Sequence, residues 1–273
     1  MELISGAGTA LHPVEVDLLC AFAEVEAPFP IDVAAAGEDE VERAVLYREA
    51  AEAMRDRGLA DERGPLDVAE EFVYLLRACT GVVDMVVATE SGTRSVAVLT
   101  ARDDALLVHQ DTADPFGMVR MLPTTVDDAV SRLARMVPQA ETPLTAPFSL
   151  PRRAVLNAFQ EMVARVPADG GDPVPMSPDQ IDELLGRSGI SDRVSSRMVA
   201  ALTPSVGSGQ AGVALRDETE DQWRRSGPEL SWLDTPRGRF RLAVAEDDAW
   251  MSVNPLSQAE LRAELRALAQ RVR

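Results

Sequence analysis

The 273 residues, 46% hydrophobic and 26% charged, suffice for one large domain or two small ones and exclude a disordered chain. Acids outnumber basic side chains 45 to 27, the basic ones are all arginine, and the net charge of −18 argues against nucleic-acid and membrane partners. No stretch reaches the roughly 18 apolar residues of a membrane span, and MELISGAGTALHP has no basic n-region ahead of an apolar run, so no secretory leader is expected.

In chain order, a strand is predicted at 28–33. Residues 40–57 follow as a helix with Val41, Val45, Leu46, Ala50, Ala53 and Met54 on one side and Gly58 as its left-handed stop. Leu66–Cys79 reads as a second helix turning Phe72, Leu75 and Leu76 inward. Strands are predicted at 83–89, 95–101, 105–110 and 119–122, leading into a helix over 125–136 capped by Thr125. The segment 137–149, with three prolines, reads as a joint. Beyond it come helices at 150–166, 178–186 and 192–202. Strands follow at 211–216 and 250–253, and a closing helix at 257–272 carries Ser257 and Glu260 as a capping box.

The two halves share a plan. Leu99–Val108 reads as strand, polar turn, strand, and so does Leu233–Leu242, offset by 134 residues. Pseudo-twofold duplication is therefore expected, with residues 1–140 as the first half, 141–150 as the Pro-rich joint and 151–273 as the second half. Charge is divided unevenly: 27 acids against 11 arginines give −16 in residues 1–150, and 18 against 16 give −2 in 151–273. Strands pairing mainly as hairpins, with helices outside, predict an α+β fold of antiparallel sheet.

Catalytic constellations are missing from this pattern. His12 and His109 lie in no HExxH motif and beside no GxSxG elbow. The pairs Asp103-Asp104, Asp127-Asp128 and Asp247-Asp248 read as turn formers, because adjacent carboxylates on a strand point to opposite faces. Cys20 and Cys79 are expected to be buried cytosolic thiols. Gly207–Gly212 matches G-x-G-x-x-G in its letters, but a helix precedes it and a strand follows, the reverse of a dinucleotide site, so it reads as a flexible entry into a strand. No catalytic, cofactor or metal residues are assigned. Helices 178–186 and 192–202 resemble a helix-turn-helix followed by a hairpin, which makes a winged-helix-like DNA-binding regulator the alternative function. Arg193 and Arg197 give the second helix little basic character for that role. Arg216–Gly227 reads as a charged loop carrying Trp223, longer than the matching connection Glu90–Arg94, and Trp and Arg are favoured interface anchors.

Pro28-Phe29-Pro30-Ile31-Asp32-Val33, Glu42-Arg43, Arg57-Gly58-Leu59 and Arg94–Leu99 form an ordered series. Trp232-Leu233-Asp234-Thr235-Pro236-Arg237-Gly238-Arg239-Phe240 continues it, and Trp250, Pro255 and the closing helix complete it. Over roughly residues 14–272 this series resembles the EspG family of type VII (ESX) secretion-associated proteins of actinobacteria. The resemblance implies a non-enzymatic cytoplasmic chaperone with two pseudo-symmetric halves around a central sheet. Its partner would be a helical secretion substrate, PE–PPE-like or WXG100-like, whose exposed apolar tip it covers. By position it places partner contacts at Ser91, Gly92, Thr93 and Arg94. From the longer loop Trp223, Arg224 and Arg225 are added as partner-binding candidates. A homo-oligomer is compatible with this reading.

Overall fold

The computed structural model describes residues 8–102, 104–153, 156–157, 160, 177–187, 202, 204–217, 222–244 and 249–272. They contain β1 (Thr9–Leu11), α1 (Pro13–Ala23), α2 (Glu40–Asp56), α3 (Val68–Ala78), β2 (Gly81–Thr89) and β3 (Gly92–Ala101). Next come β4 (Asp104–Asp111), β5 (Val119–Thr125), α4 (Val126–Met136), β6 (Phe148–Pro151), α5 (Pro178–Arg187) and β7 (Gly207–Asp217). The chain closes with β8 (Gln222–Arg225), β9 (Leu230–Thr235), β10 (Gly238–Val244), β11 (Trp250–Pro255), α6 (Gln258–Ala269) and a short 3-10 turn, Gln270–Val272. The class is α+β, as expected.

The chain divides into two compact units. One comprises Met1–Pro138, Gly209–Glu229 and Ala259–Arg273, the other Gln139–Ser208 and Leu230–Gln258. In the first unit the strands run β1-β5-β4-β3-β2-β7, with β8 paired to β7. The meander β2 to β5 is antiparallel throughout, with Val83 opposite Val98, Val98 opposite Leu107 and Leu107 opposite Leu122. One face turns Val82, Ala97, Leu99, Leu106 and Val108 into a core with Leu19 of α1 and Phe72 and Leu76 of α3. The alternate residues face the other way, toward α4, whose Val126, Ala129, Val130 and Leu133 are buried. The closing helix ends on this sheet, where Thr100 Oγ1 donates to the carbonyls of Gly81 at 2.9 Å and Val272 at 3.3 Å.

Local sequence explains the helix ends. His12 caps α1, its Nδ1 accepting the Val14 N–H, while Glu15 accepts the His12 N–H at 2.8 Å. Asp39 caps α2 by accepting from Val41 and Glu42, and Gly58 follows its end at φ +73°. Thr125 caps α4 by accepting from Asp128, and Asp127 and Asp128 occupy its first turn, where negative charge suits the helix dipole.

The second unit pairs its strands in the order β9-β10-β11-β6 around Phe148, Leu150, Leu202, Phe240 and Val253. Its β9–β10 hairpin sets Thr235 opposite Gly238, and in the first unit β3–β4 sets Ala101 opposite Asp104, so the two matched hairpins have the same two-residue loop. The motif Asp234 to Phe240 is structural. Arg239, 1% exposed, donates to Asp234 through Nε at 2.6 Å and Nη2 at 2.8 Å, reaches Gln258 Oε1 at 2.9 Å, and stacks on Trp232. Thr235 Oγ1 accepts from the Arg237 N–H, and Gly238 turns at φ +119° against the Glu141 carbonyl, where a Cβ has no room.

Five expectations change. Residues 28–33 form a turn and irregular chain, because two prolines remove ladder donors. The face of α2 is only partly buried: Ala50 and Met54 are inside, whereas Val41 and Val45 are exposed, since α2 packs on α1 and not on the sheet. The glycine-rich run 207–212 is continuous strand. The charged loop 216–227 is partly a hairpin, with β8 pairing Trp223 to Arg216 and Arg225 to Ala214. A strand also takes residues 148–151, ahead of the described helical residues 152–153. Helix 192–202 apart from Leu202, most of helix 150–166, Asp103, Asp247-Asp248 and residues 218–221 lie outside the described residues.

Candidate functional site

The seven partner-binding candidates fall in two patches of the first unit. At the β2–β3 turn, Ser91 Oγ lies 2.9 Å from Thr89 Oγ1, which donates to the Gly92 carbonyl. Gly92, at φ +136°, opens the way for Thr93, which exchanges bonds with Thr112: its N–H meets Thr112 Oγ1 at 2.8 Å and its carbonyl accepts the Thr112 N–H at 2.9 Å. Arg94 donates to Asp111 Oδ2 at 2.8 Å through Nη2 and 3.2 Å through Nε. The hairpin end is thereby tied to the turn after β4, leaving Glu90 and Ser91 as its exposed tip.

Strand register puts Arg94, His109, Asp111 and Arg120 on one face, where with Ala113, Asp114 and Met118 they line a cavity of about 290 Å³. His109 is buried, and its Nδ1 has no hydrogen-bond partner. Burial first, then the Arg94 and Arg120 charges, push its pKa down to about 4. Asp111 goes below the usual carboxylate range: burial opposes the shift, and the Ala113 N–H and Arg94 outweigh it.

The second patch lies on the opposite face. Val87 faces Arg94 across β2–β3, while Asp84, an odd number of residues earlier on β2, points to the side that packs on α1 and α3. There Arg225 forms an ion pair with Asp84 and a second, at 3.2 Å, with Glu229, and stacks 5.3 Å from the centre of the Phe29 ring. Gly212 lies under this side chain: a Cβ there would lie 2.6 Å from Arg225 Nη1. Trp223, 41% exposed, and Phe29, 59% exposed, border a cavity of about 640 Å³ floored by Leu76, Val82 and Leu99. Arg224 is exposed. The structure therefore joins Trp223 with Arg225 and keeps both apart from Ser91–Arg94.

Sequence reasoning passed over Asp84, Phe29 as a cavity wall, and the His109–Arg120 pair. A lone acid within the apolar run GVVDMVVAT was the legible signal for Asp84, because an unpaired charge is rarely buried. Both cysteines are buried free thiols, with burial raising Cys20 to about 12 and Cys79 to about 11. Among the described residues no cluster of three or more His, Cys, Asp or Glu side chains could hold a metal ion, and no helix is long and apolar enough to cross a membrane.

The EspG family model matches residues 12–267. This chain belongs to the EspG family. Among solved structures, the Mycobacterium tuberculosis type VII secretion system chaperone EspG5, in complex with a PE25–PPE41 dimer, is similar to this EspG-family protein with a TM-score of 0.61. The two are 13% identical over 96% of this chain and 95% of that one, a likeness that speaks for the shared fold. No curated protein matches the sequence. The D-T-x-x-G-R-F stretch that carried the resemblance forms a buried ion pair and a glycine turn in this EspG-family protein.

Proposed function

We propose that this chain is a cytoplasmic chaperone of a type VII secretion system, binding a helical PE–PPE-like substrate and catalysing no reaction. Membership of the EspG family over residues 12–267 carries the reading, and the related fold of EspG5, solved with PE25–PPE41, supports it. The physical role is to cover an apolar substrate tip that would otherwise aggregate, using a carrier whose −18 charge keeps the complex soluble.

The contact residues proposed are Ser91, Gly92, Thr93 and Arg94 at the β2–β3 end, and Trp223, Arg224 and Arg225 on β8. Rigid support favours both places: the hairpin end is bonded to Thr112 and Asp111, and β8 is held to β2 by Arg225 and Asp84. Coexpression with the PE–PPE pair encoded nearest to it should yield one complex on size exclusion. A WXG100-like pair from the same neighbourhood serves as the comparison. Separate elution of the chain from every such pair would overturn the proposal.

A further inference from the structure

The cavity bordered by Phe29 and Trp223 has the volume of a ligand pocket and a mainly apolar floor, yet one of its charged lining groups is buried. Asp84 is 2% exposed. Its Oδ2 receives Arg225, while Oδ1 is buried and accepts no hydrogen bond. A buried carboxylate oxygen without a donor is costly, so the geometry calls for one more N–H at this point. We propose that this cavity receives a single cationic side chain, arginine or lysine, from the secreted partner, its apolar stem lying between Phe29 and Trp223 and its charged end donating to Asp84. The inference rests on the chaperone reading, which supplies a protein partner.

Charge complementarity selects a cation. Both arginines in the lining are engaged: Arg225 by Asp84 and Glu229, and Arg216 by the Arg77 carbonyl at 2.7 Å. Glu24 and Glu26 stand at the exposed rim and add negative charge. The same field that disfavours a carboxylate or phosphate here steers a cation inward. The half-exposed aromatic rings suit the apolar stem of such a side chain, which covers them while its charged end goes deeper. They also suit a protein source, because a small molecule at the floor would leave them wet, whereas a partner's surface covers them.

The test titrates the intact, partner-free protein with N-acetyl-arginine amide, its uncharged isostere N-acetyl-citrulline amide, a helical peptide bearing one exposed arginine, and agmatine. Asp84 is followed through its side-chain carboxyl ¹³C resonance and Trp223 through its emission. The arginine amide and the peptide should both shift Asp84, with citrulline binding about tenfold weaker, roughly the worth of one charge-assisted hydrogen bond. Asp84→Asn should erase that preference. If Asp84→Asn does not fold, Trp223→Ala and Phe29→Ala must each weaken arginine-amide binding. Equal binding of the two amides, binding of neither, or binding that ignores these substitutions overturns the proposal. Agmatine binding about a hundredfold tighter than the peptide overturns it too, by assigning the cavity to a free amine. No secretion substrate takes part, so this titration and the coexpression experiment fail independently.

Discussion

Arg239 shows how much one side chain can carry. Its guanidinium is buried, bonded twice to Asp234 and once to Gln258, and stacked on Trp232. Arg239→Ala leaves the Asp234 carboxylate buried without its cation, so urea denaturation should show a loss of about 3–5 kcal/mol. Arg239→Lys keeps the charge but loses the paired geometry, and should fall between the variant and the parent. His109 makes the other residue-scale prediction. Its folded pKa, about 4, lies below the ordinary 6.5, so between those values the unfolded chain binds the proton and the folded one does not. Stability from neutral His109 is therefore present above pH 6.5 and lost as pH falls toward 4. Denaturation at pH 7 and at pH 4.5 should show a steeper acid loss for the parent than for His109→Gln, the difference approaching roughly 2–3 kcal/mol.

At the scale of elements, the β3–β4 turn places Arg102 at φ +58°, a conformation glycine adopts without strain. Arg102→Gly should raise the denaturation midpoint, by about 0.5–1 kcal/mol in stability. Gly212 has the opposite character. Gly212→Ala puts a methyl against the Arg225 guanidinium, so β8 should loosen from β2, read as faster hydrogen exchange of the Trp223–Arg225 amides. Trp223 is half exposed at the cavity edge, not packed in the core. Trp223→Ala should weaken substrate binding about tenfold or more in calorimetry, with a melting temperature within a few degrees of the parent.

For the whole molecule, most strands were legible because alternating apolar residues must face a core on one or both sides. The meander from 81 to 125 and the matched hairpins at 99–108 and 233–242 follow from that rule. The strand expected at 28–33 was not realised, because its two prolines remove ladder donors, and Pro28 and Phe29 line the cavity instead. α2 misled through composition: a helical stripe shows that a face could be buried, not that an element stands beside it, and Val41 and Val45 have none. Net charge also acts at this scale. A carrier at −18 should associate with a basic substrate surface more slowly as salt rises, a several-fold drop in association rate between about 20 and 300 mM NaCl in stopped flow.

The sequence by itself determined the α+β class, the Gly58 stop and Thr125 cap, the matched hairpins and the family, since each depends on neighbours within a few residues or on letters in order. Tertiary structure alone decided that Arg94 and Arg225 stand on opposite faces, that Asp84 meets Arg225 across 141 positions, and that Phe29 and Trp223 border one cavity. Strand pairing fixes those relations, and pairing between distant segments is set by the packing of the whole sheet, which no local spacing records.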